Sequence, residues 1–180
     1  CYAGSVGHTN ALQFFFDLSI NMELKYPDIC FLVLGDGEMK DMYYKKYNHL
    51  SNLIFGPQVN KNEVNIVLQK VDLLFLSTFP SKIWRYGQSL NKLIDYMYSG
   101  RPIIAVYSGF QSMINEARCG NFFNHKQINK IEEQIIEYSL MDENSLKEIG
   151  ERGKRWILEN RKYSQLASNY AIILKKIINK

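Results

Sequence analysis

Tyr86–Ile104 reads YGQSLNKLIDYMYSGRPII, and the whole chain can be read outward from it. Leu90, Leu93, Ile94 and Met97 recur at helical spacing. Ser89 supplies a side-chain oxygen suited to an N-cap, and Gly100 falls where a helix ends in a left-handed residue. Pro102 cannot continue the helix and leads into the apolar run Ile103-Ile104-Ala105-Val106, a strand. Tyr86, Gly87 and Gln88 form a turn ahead of the helix. A glycine turn there leaves backbone N–H groups free at the positive end of the dipole, a place that suits a phosphate.

Before this stretch, apolar runs alternate with helix-length segments. Cys1–Ala3 reads as the end of a buried strand, followed by the loop Gly4-Ser5-Val6-Gly7. His8, Thr9 and Asn10 lead into a helix with Leu12, Phe15, Phe16, Ser19 and Met22 on one face. The Gly4-x-x-Gly7 spacing is not G-x-G-x-x-G, so a dinucleotide cofactor is not indicated; a tight turn and a phosphate site both remain open. Cys30–Leu34 is a second strand, bounded by Gly35-Asp36-Gly37, and Glu38 starts a helix reaching His49. Leu53–Phe55 is a third, ended by Gly56-Pro57. Asn60 or Asn62 caps a helix from Glu63 to Lys70, and Asp72–Leu76 is a fourth strand. The loop Ser77–Arg85 is stiffened by Pro80 and Trp84; Trp84 with Arg85 either meets a sugar or phosphate, or packs.

After the central stretch, Ser108 and Gly109 make a turn, and Met113, Ile114 and Ala117 line a helix ending at Gly120. Asn121–Asn124 is a short sixth strand. Ile128, Ile131, Ile135, Ile136 and Leu140 then repeat helically, Ser145–Asn160 continues with an interruption at Arg152-Gly153-Lys154, and Leu166, Tyr170, Ile173, Leu174 and Ile177 form a final stripe read as core. The fold class is therefore α/β: a Rossmann-like parallel sheet of about six strands, helices on both faces, and a helical C-terminal tail. Gly4, Gly35, Gly56, Ser77 and Gly87 all follow strands, so all fall on the carboxyl rim, where open α/β sheets bind ligands.

The 180 residues make one domain, 1–180, with enough chain for a sizeable core. A net charge of +4, with Lys and Arg scattered, calls for no nucleic acid; a diphosphate or an anionic membrane surface is compatible with it. Three widely spaced cysteines, Cys1, Cys30 and Cys119, form neither a disulfide framework nor a zinc pattern, and Cys30 and Cys119 read as small buried residues of a reducing cytoplasm. No run reaches the roughly 18 apolar residues of a membrane span.

The central stretch resembles the donor-binding signature of family-four retaining glycosyltransferases of the GT-B fold. It is most similar to the branch that builds bacterial surface polysaccharides such as capsule, where G-x-S-x-N-K-L-x-[DE]-Y-M-x-x-G-[KR]-P-[IV] recurs. The resemblance extends to the strand ending in Gly35-Asp36-Gly37, to Val59, Lys61 and Val64 after the third strand, and to E-I-G-E-R-G-K-R at residues 148–155. The broader family has two Glu with seven residues between them. Asp95 matches the second, which binds ribose hydroxyls; the first, which contacts the donor sugar, falls at Gly87 and is missing.

The resemblance implies the C-terminal donor-binding domain of a transferase, lacking its N-terminal acceptor domain and so inactive by itself. Its donor would be a UDP-linked nucleotide sugar, and its acceptor a saccharide or lipid-linked saccharide. The expected location is the cytoplasm, either free or peripheral on the inner membrane face, with no cofactor and no metal. Lys92 and Asp95 carry the catalytic roles. The donor site is expected to comprise Gly4, Ser5 and Gly7; Gly35, Asp36 and Gly37; Gly56 and Val59; and Tyr86, Gly87, Gln88, Ser89, Lys92 and Asp95. Lys92 and Asp95, three apart on one helix, also fit a plain surface ion pair. Asp36-Gly37-Glu38 superficially matches a metal-binding D-x-D of another transferase fold, a weaker reading than the metal-independent one. Two other readings stay open: a nucleotide-binding module without chemistry, and half of a nucleotide-sugar epimerase. The epimerase would need an acid and a base in the cleft. No second carboxylate near Asp95 is evident; His8 is the better base candidate, and His125 is expected at the surface.

Overall fold

The computed structural model describes residues 1–86, 90–107, 109 and 112–178. Six strands alternate with helices: β1 (Tyr2–Ala3), α1 (Gln13–Met22), β2 (Phe31–Leu34), α2 (Lys40–Tyr47), β3 (Leu53–Gly56), α3 (Val64–Leu68), β4 (Leu74–Ser77), α4 (Asn91–Ser99), β5 (Ile103–Val106), α5 (Met113–Ala117) and β6 (Gly120–Phe123). Three further helices follow: α6 (Ile128–Ser139), α7 (Glu143–Asn160) and α8 (Tyr163–Ile178). Every pairing is parallel, in two three-stranded sheets ordered β1-β2-β3 and β4-β5-β6. The sheets abut along β1 and β4, where the Phe75 N–H donates to the Cys1 carbonyl at 2.8 Å and the Cys1 nitrogen donates to the Leu73 carbonyl at 2.6 Å. The spatial order is thus β3-β2-β1-β4-β5-β6. The winding reverses between β1 and β4, and a crevice opens at such a point above the carboxyl ends of the strands.

Helices cover both faces, and β5 shows why. Ile104 and Val106 pack with Phe15 and Phe16 of α1 and Ile131 and Ile135 of α6. Ile103 and Ala105 face Leu93 and Met97 of α4, Ile114 of α5 and Ile157 of α7. Side chains alternate along a strand, so a strand covered on both faces is apolar throughout, as Ile-Ile-Ala-Val is. Aromatic rings knit the first face together: Phe15 meets Phe31 and Phe75 at centroid distances of 5.2 and 5.1 Å, and Phe16 stacks on Tyr47 at 4.7 Å.

Several expectations need correction. The helix read as starting at Glu38 starts at Lys40, after a turn whose Lys40 N–H bonds the Gly37 carbonyl. Within α4, Leu90 is the extended residue preceding the first turn, and the proposed cap, Ser89, lies outside the described residues. Gly100 closes α4 at φ 72°, as read. Gly120 opens β6; the helix before it ends at Ala117, followed by Arg118 at φ 53°. Cys30 is exposed, whereas Cys119 is buried, with burial pushing its thiol up to about 12.

Two corrections concern larger elements. Arg152-Gly153-Lys154 does not interrupt α7, which runs unbroken from Glu143 to Asn160. A Cβ at 150 would sit 2.0 Å from the Gly100 carbonyl oxygen, and one at 153 would sit 2.9 Å from the Cys119 Sγ. These glycines admit a close crossing of α7 over the end of α4. The stripe Leu166, Tyr170, Ile173, Leu174 and Ile177 is not core: every residue of α8 is exposed. Periodicity tells which residues share a face and not what covers it.

Candidate functional site

Two loops leave β1 and β2 side by side. The Gly4 N–H donates to the Leu34 carbonyl at 2.9 Å and the Val6 N–H to the Asp36 carbonyl at 2.8 Å, so the parallel ladder continues past the strand ends. The close approach demands glycine. Gly35 and Gly37 have φ of 146° and 153°, and a Cβ on each would lie 1.9 Å from the Gly4 oxygen and 2.6 Å from the Val6 oxygen.

Beside these loops lies a cavity of about 600 Å³. Of the residues expected at a donor site, Gly4, Ser5, Gly35, Asp36 and Gly37 line one side, and Val59, Lys92 and Asp95 line the other. Gly7 and Gly56 do not line it, and Tyr86 is 89% exposed and also outside it. Gly87, Gln88 and Ser89 lie outside the described residues. Val64, which the pattern after the third strand had picked out, makes an apolar wall with Val67 and Leu68 of α3, which it had not, and Gln58 and Tyr96 complete the lining. Lys40 was also missed. Its ammonium donates to the Gly35 carbonyl at 2.8 Å and the Gly56 carbonyl at 3.1 Å, clamping the ends of β2 and β3. A lysine three residues past G-x-G is the only signal it left.

Lys92 projects from the first turn of α4 and is half-buried. Its Nζ donates to the Tyr2 hydroxyl at 2.7 Å and the Asn10 Oδ1 at 2.6 Å, and lies 4.5 Å from the centroid of the Tyr2 ring. It reaches the β1 loop, since a Cβ on Gly4 would be 3.2 Å from it. Burial lowers its pKa from 10.5 to about 8. Burial likewise pushes the Tyr2 phenol up, so Tyr2 is a neutral partner. The ion-pair reading of Lys92 and Asp95 does not hold: among the described residues the only ion pair joins Lys154 and Glu151 at 3.9 Å.

Asp95 sits one turn further along α4, exposed at the cavity rim. Partial desolvation raises its carboxyl above the ordinary value, and the charge of Lys61 pulls it down. The next residue fixes α4 against β1: the Tyr96 hydroxyl accepts the Ala3 N–H at 2.7 Å and donates to the Ala3 carbonyl at 2.9 Å. Both polar groups at the end of β1 are thereby satisfied by one buried phenol.

A second carboxylate does share the cavity with Asp95, contrary to the sequence reading: it is Asp36, whose Oδ1 accepts the Gly37 N–H at 2.8 Å. Trp84 packs: its indole N–H donates to the Phe79 carbonyl at 2.9 Å, and its ring stands edge-on to Tyr107. His8 is exposed, and His125 is half-buried, its Nε2 2.7 Å from the Thr78 carbonyl and its ring against Phe14. Neither histidine lines the cavity. Among the described residues no three His, Cys, Asp or Glu side chains gather as a metal site would require, and no helix is long and apolar enough to cross a membrane.

The family model described as glycosyl transferases group 1 matches residues 1–139. An uncharacterized glycosyltransferase of Methanocaldococcus jannaschii is 24% identical over 187 residues, covering 99% of this chain and 45% of its relative. The chain thus spans under half the length of that curated relative. Among solved structures, a S. aureus TarM mutant in complex with fondaparinux, α-GlcNAc-glycerol and UDP superposes with a TM-score of 0.72 at 18% identity, over 99% of this chain and 34% of that one. The C-terminal domain of LpcC, a glycosyl transferase group 1 family protein from Francisella tularensis, gives 0.68 at 18% identity, over 90% of this chain and 85% of that domain.

Proposed function

Because the chain belongs to the glycosyl transferases group 1 family, we propose that it is the C-terminal, donor-binding half of a family-four retaining glycosyltransferase that takes a UDP-linked sugar. The observation that carries this reading is the Lys92 ammonium, held by neutral partners at a cavity walled by two glycine loops. The UDP carried by TarM, whose fold this chain shares, supports the choice of base.

In this reading the uracil lies against Val59, Val64, Val67 and Leu68, and the ribose hydroxyls donate to the Asp95 carboxylate. The diphosphate lies between Lys92 and the Gly4–Gly7 loop. As the bond from the anomeric carbon to the diphosphate breaks, negative charge grows on the leaving oxygens. Lys92 and the Ser5 N–H meet that charge in fixed positions, the Gly4 and Val6 N–H groups being used on the Leu34 and Asp36 carbonyls, so no metal is needed. The acceptor is a saccharide or lipid-linked saccharide of a bacterial surface polysaccharide, presented by an N-terminal domain on the cytoplasmic side of the membrane. The chain alone would bind donor without efficient transfer.

Thermal melting with UDP, ADP, CDP and UDP-sugars tests this. A ligand at a hundred times its dissociation constant adds about 2.7 kcal/mol, a rise of roughly 5–11 °C for a domain of this size. UDP and UDP-sugars should raise the melting temperature more than ADP or CDP. No shift with any nucleoside diphosphate at millimolar concentration overturns the reading.

A further inference from the structure

Lys92 is held by a closed set of neutral groups. Its ammonium donates to the Asn10 Oδ1 and the Tyr2 hydroxyl, at 2.6 and 2.7 Å. Both holders turn back to one atom: the Asn10 amide donates to the Ser5 carbonyl at 2.8 Å, and the Tyr2 hydroxyl donates to the same carbonyl at 2.5 Å. Asn10 is itself anchored, since the Ser77 hydroxyl at the end of β4 donates to its backbone carbonyl at 2.5 Å. The ring of contacts joins β1, the loop after it, β4 and α4 across the switch point.

The choice of holders matters. An ammonium can be fixed by a carboxylate, which quenches its charge, or by amide and phenol oxygens, which leave it whole. Two carboxylates face the same cavity, Asp95 on the same helix and Asp36 on the loop after β2, yet among the described residues neither forms an ion pair with Lys92. We infer that Asn10, with Tyr2, is a positioning residue: it aims Lys92 at the Gly4–Gly7 loop while keeping its positive charge unpaired for the diphosphate of a ligand. This rests on the reading of Lys92 as the diphosphate-binding group. It assigns to Asn10 and Tyr2 a role that neither the loop pattern nor the helix pattern suggested.

The decisive variant is Asn10→Asp, isosteric but charged. Asn10→Ala and Tyr2→Phe serve as companions, and all are made in the full chain. Lys92 is titrated through its side-chain NMR signal, and UDP affinity is measured by calorimetry. Asn10→Asp should raise the Lys92 midpoint and weaken UDP at least about fivefold, because a fixed counter-charge now competes with the phosphates. Asn10→Ala and Tyr2→Phe should weaken UDP severalfold without raising the midpoint. A purely structural Asn10 would lower the melting temperature and leave the midpoint in place. An unchanged midpoint or an unchanged UDP affinity in Asn10→Asp overturns the inference. If Asn10→Asp does not fold, undiminished UDP affinity in Tyr2→Phe does so instead. Failure of the wild type to bind UDP would sink the donor reading, and the titration would still decide whether the cradle keeps Lys92 unpaired.

Discussion

Lys92 and Asp95 carry most of what can be tested side chain by side chain. The folded pKa of Lys92, about 8, lies below its ordinary 10.5. Between those values the unfolded chain holds the proton more tightly, so this residue makes the unliganded fold gain stability as pH rises through that window. Diphosphate binding must run the other way, since it needs the ammonium. UDP affinity should fall as pH climbs past about 8, and binding near pH 8.5 should take up protons. Calorimetry in buffers of different ionisation enthalpy measures that uptake, and Lys92→Met should abolish it. For Asp95, loss of a carboxylate bonded to ribose hydroxyls should cost about 1.5–3 kcal/mol of UDP affinity in Asp95→Ala. An exposed Asp without a ligand role would move neither affinity nor stability by more than roughly 0.5 kcal/mol, so equal UDP affinity in wild type and Asp95→Ala rules the assignment out. Both residues were legible in the sequence, from their spacing and from the family signature. The partners of Lys92 were not: Tyr2 and Asn10 are 90 and 82 residues away, and no local pattern records a contact of that separation.

Among the elements, α7 best shows what a local rule misses. Glycine disfavours helix by about 1 kcal/mol relative to Ala, so Gly153 reads as a break, and Gly150 is a second weak point in the same helix. Here the loss is offset by contact, with the Gly100 backbone lying where a Cβ at 150 would be. Gly150→Ala should therefore lower stability by about 1–3 kcal/mol through overpacking, despite its better helix propensity. Urea unfolding checks the sign, and a stabilised variant would show that the crossing can spread at little cost. The strands were easier to read. β2, β4 and β5 are short apolar runs bounded by turn residues; β5 has the limits expected of it, and those of β2 and β4 differ by a residue or two. Exposed edges such as the start of α2 were harder, because a turn and a first helical turn have the same composition.

For the molecule as a whole, the difference between a periodic stripe and a buried one becomes measurable. Phe16, fully buried among aromatic rings, should cost about 3–5 kcal/mol on truncation to Ala. Ile173, 54% exposed on α8, should change stability by no more than roughly 0.5 kcal/mol on replacement by Ser; thermal melts of the two variants compare them directly. The alternation of apolar runs with helical segments by itself determined the α/β class, the parallel sheet and the rim on which the glycine loops fall. Those features follow from periods of 2.0 and 3.6 residues and from the handedness of crossovers, which are local properties of the chain. Tertiary structure alone decided that β1 meets β4, that Lys92 rests on Tyr2 and Asn10 and not on Asp95, that α7 runs through its glycines, and that α8 stays uncovered. Each of these depends on the free energy of bringing distant segments together, and a residue's own neighbours in sequence carry no record of it.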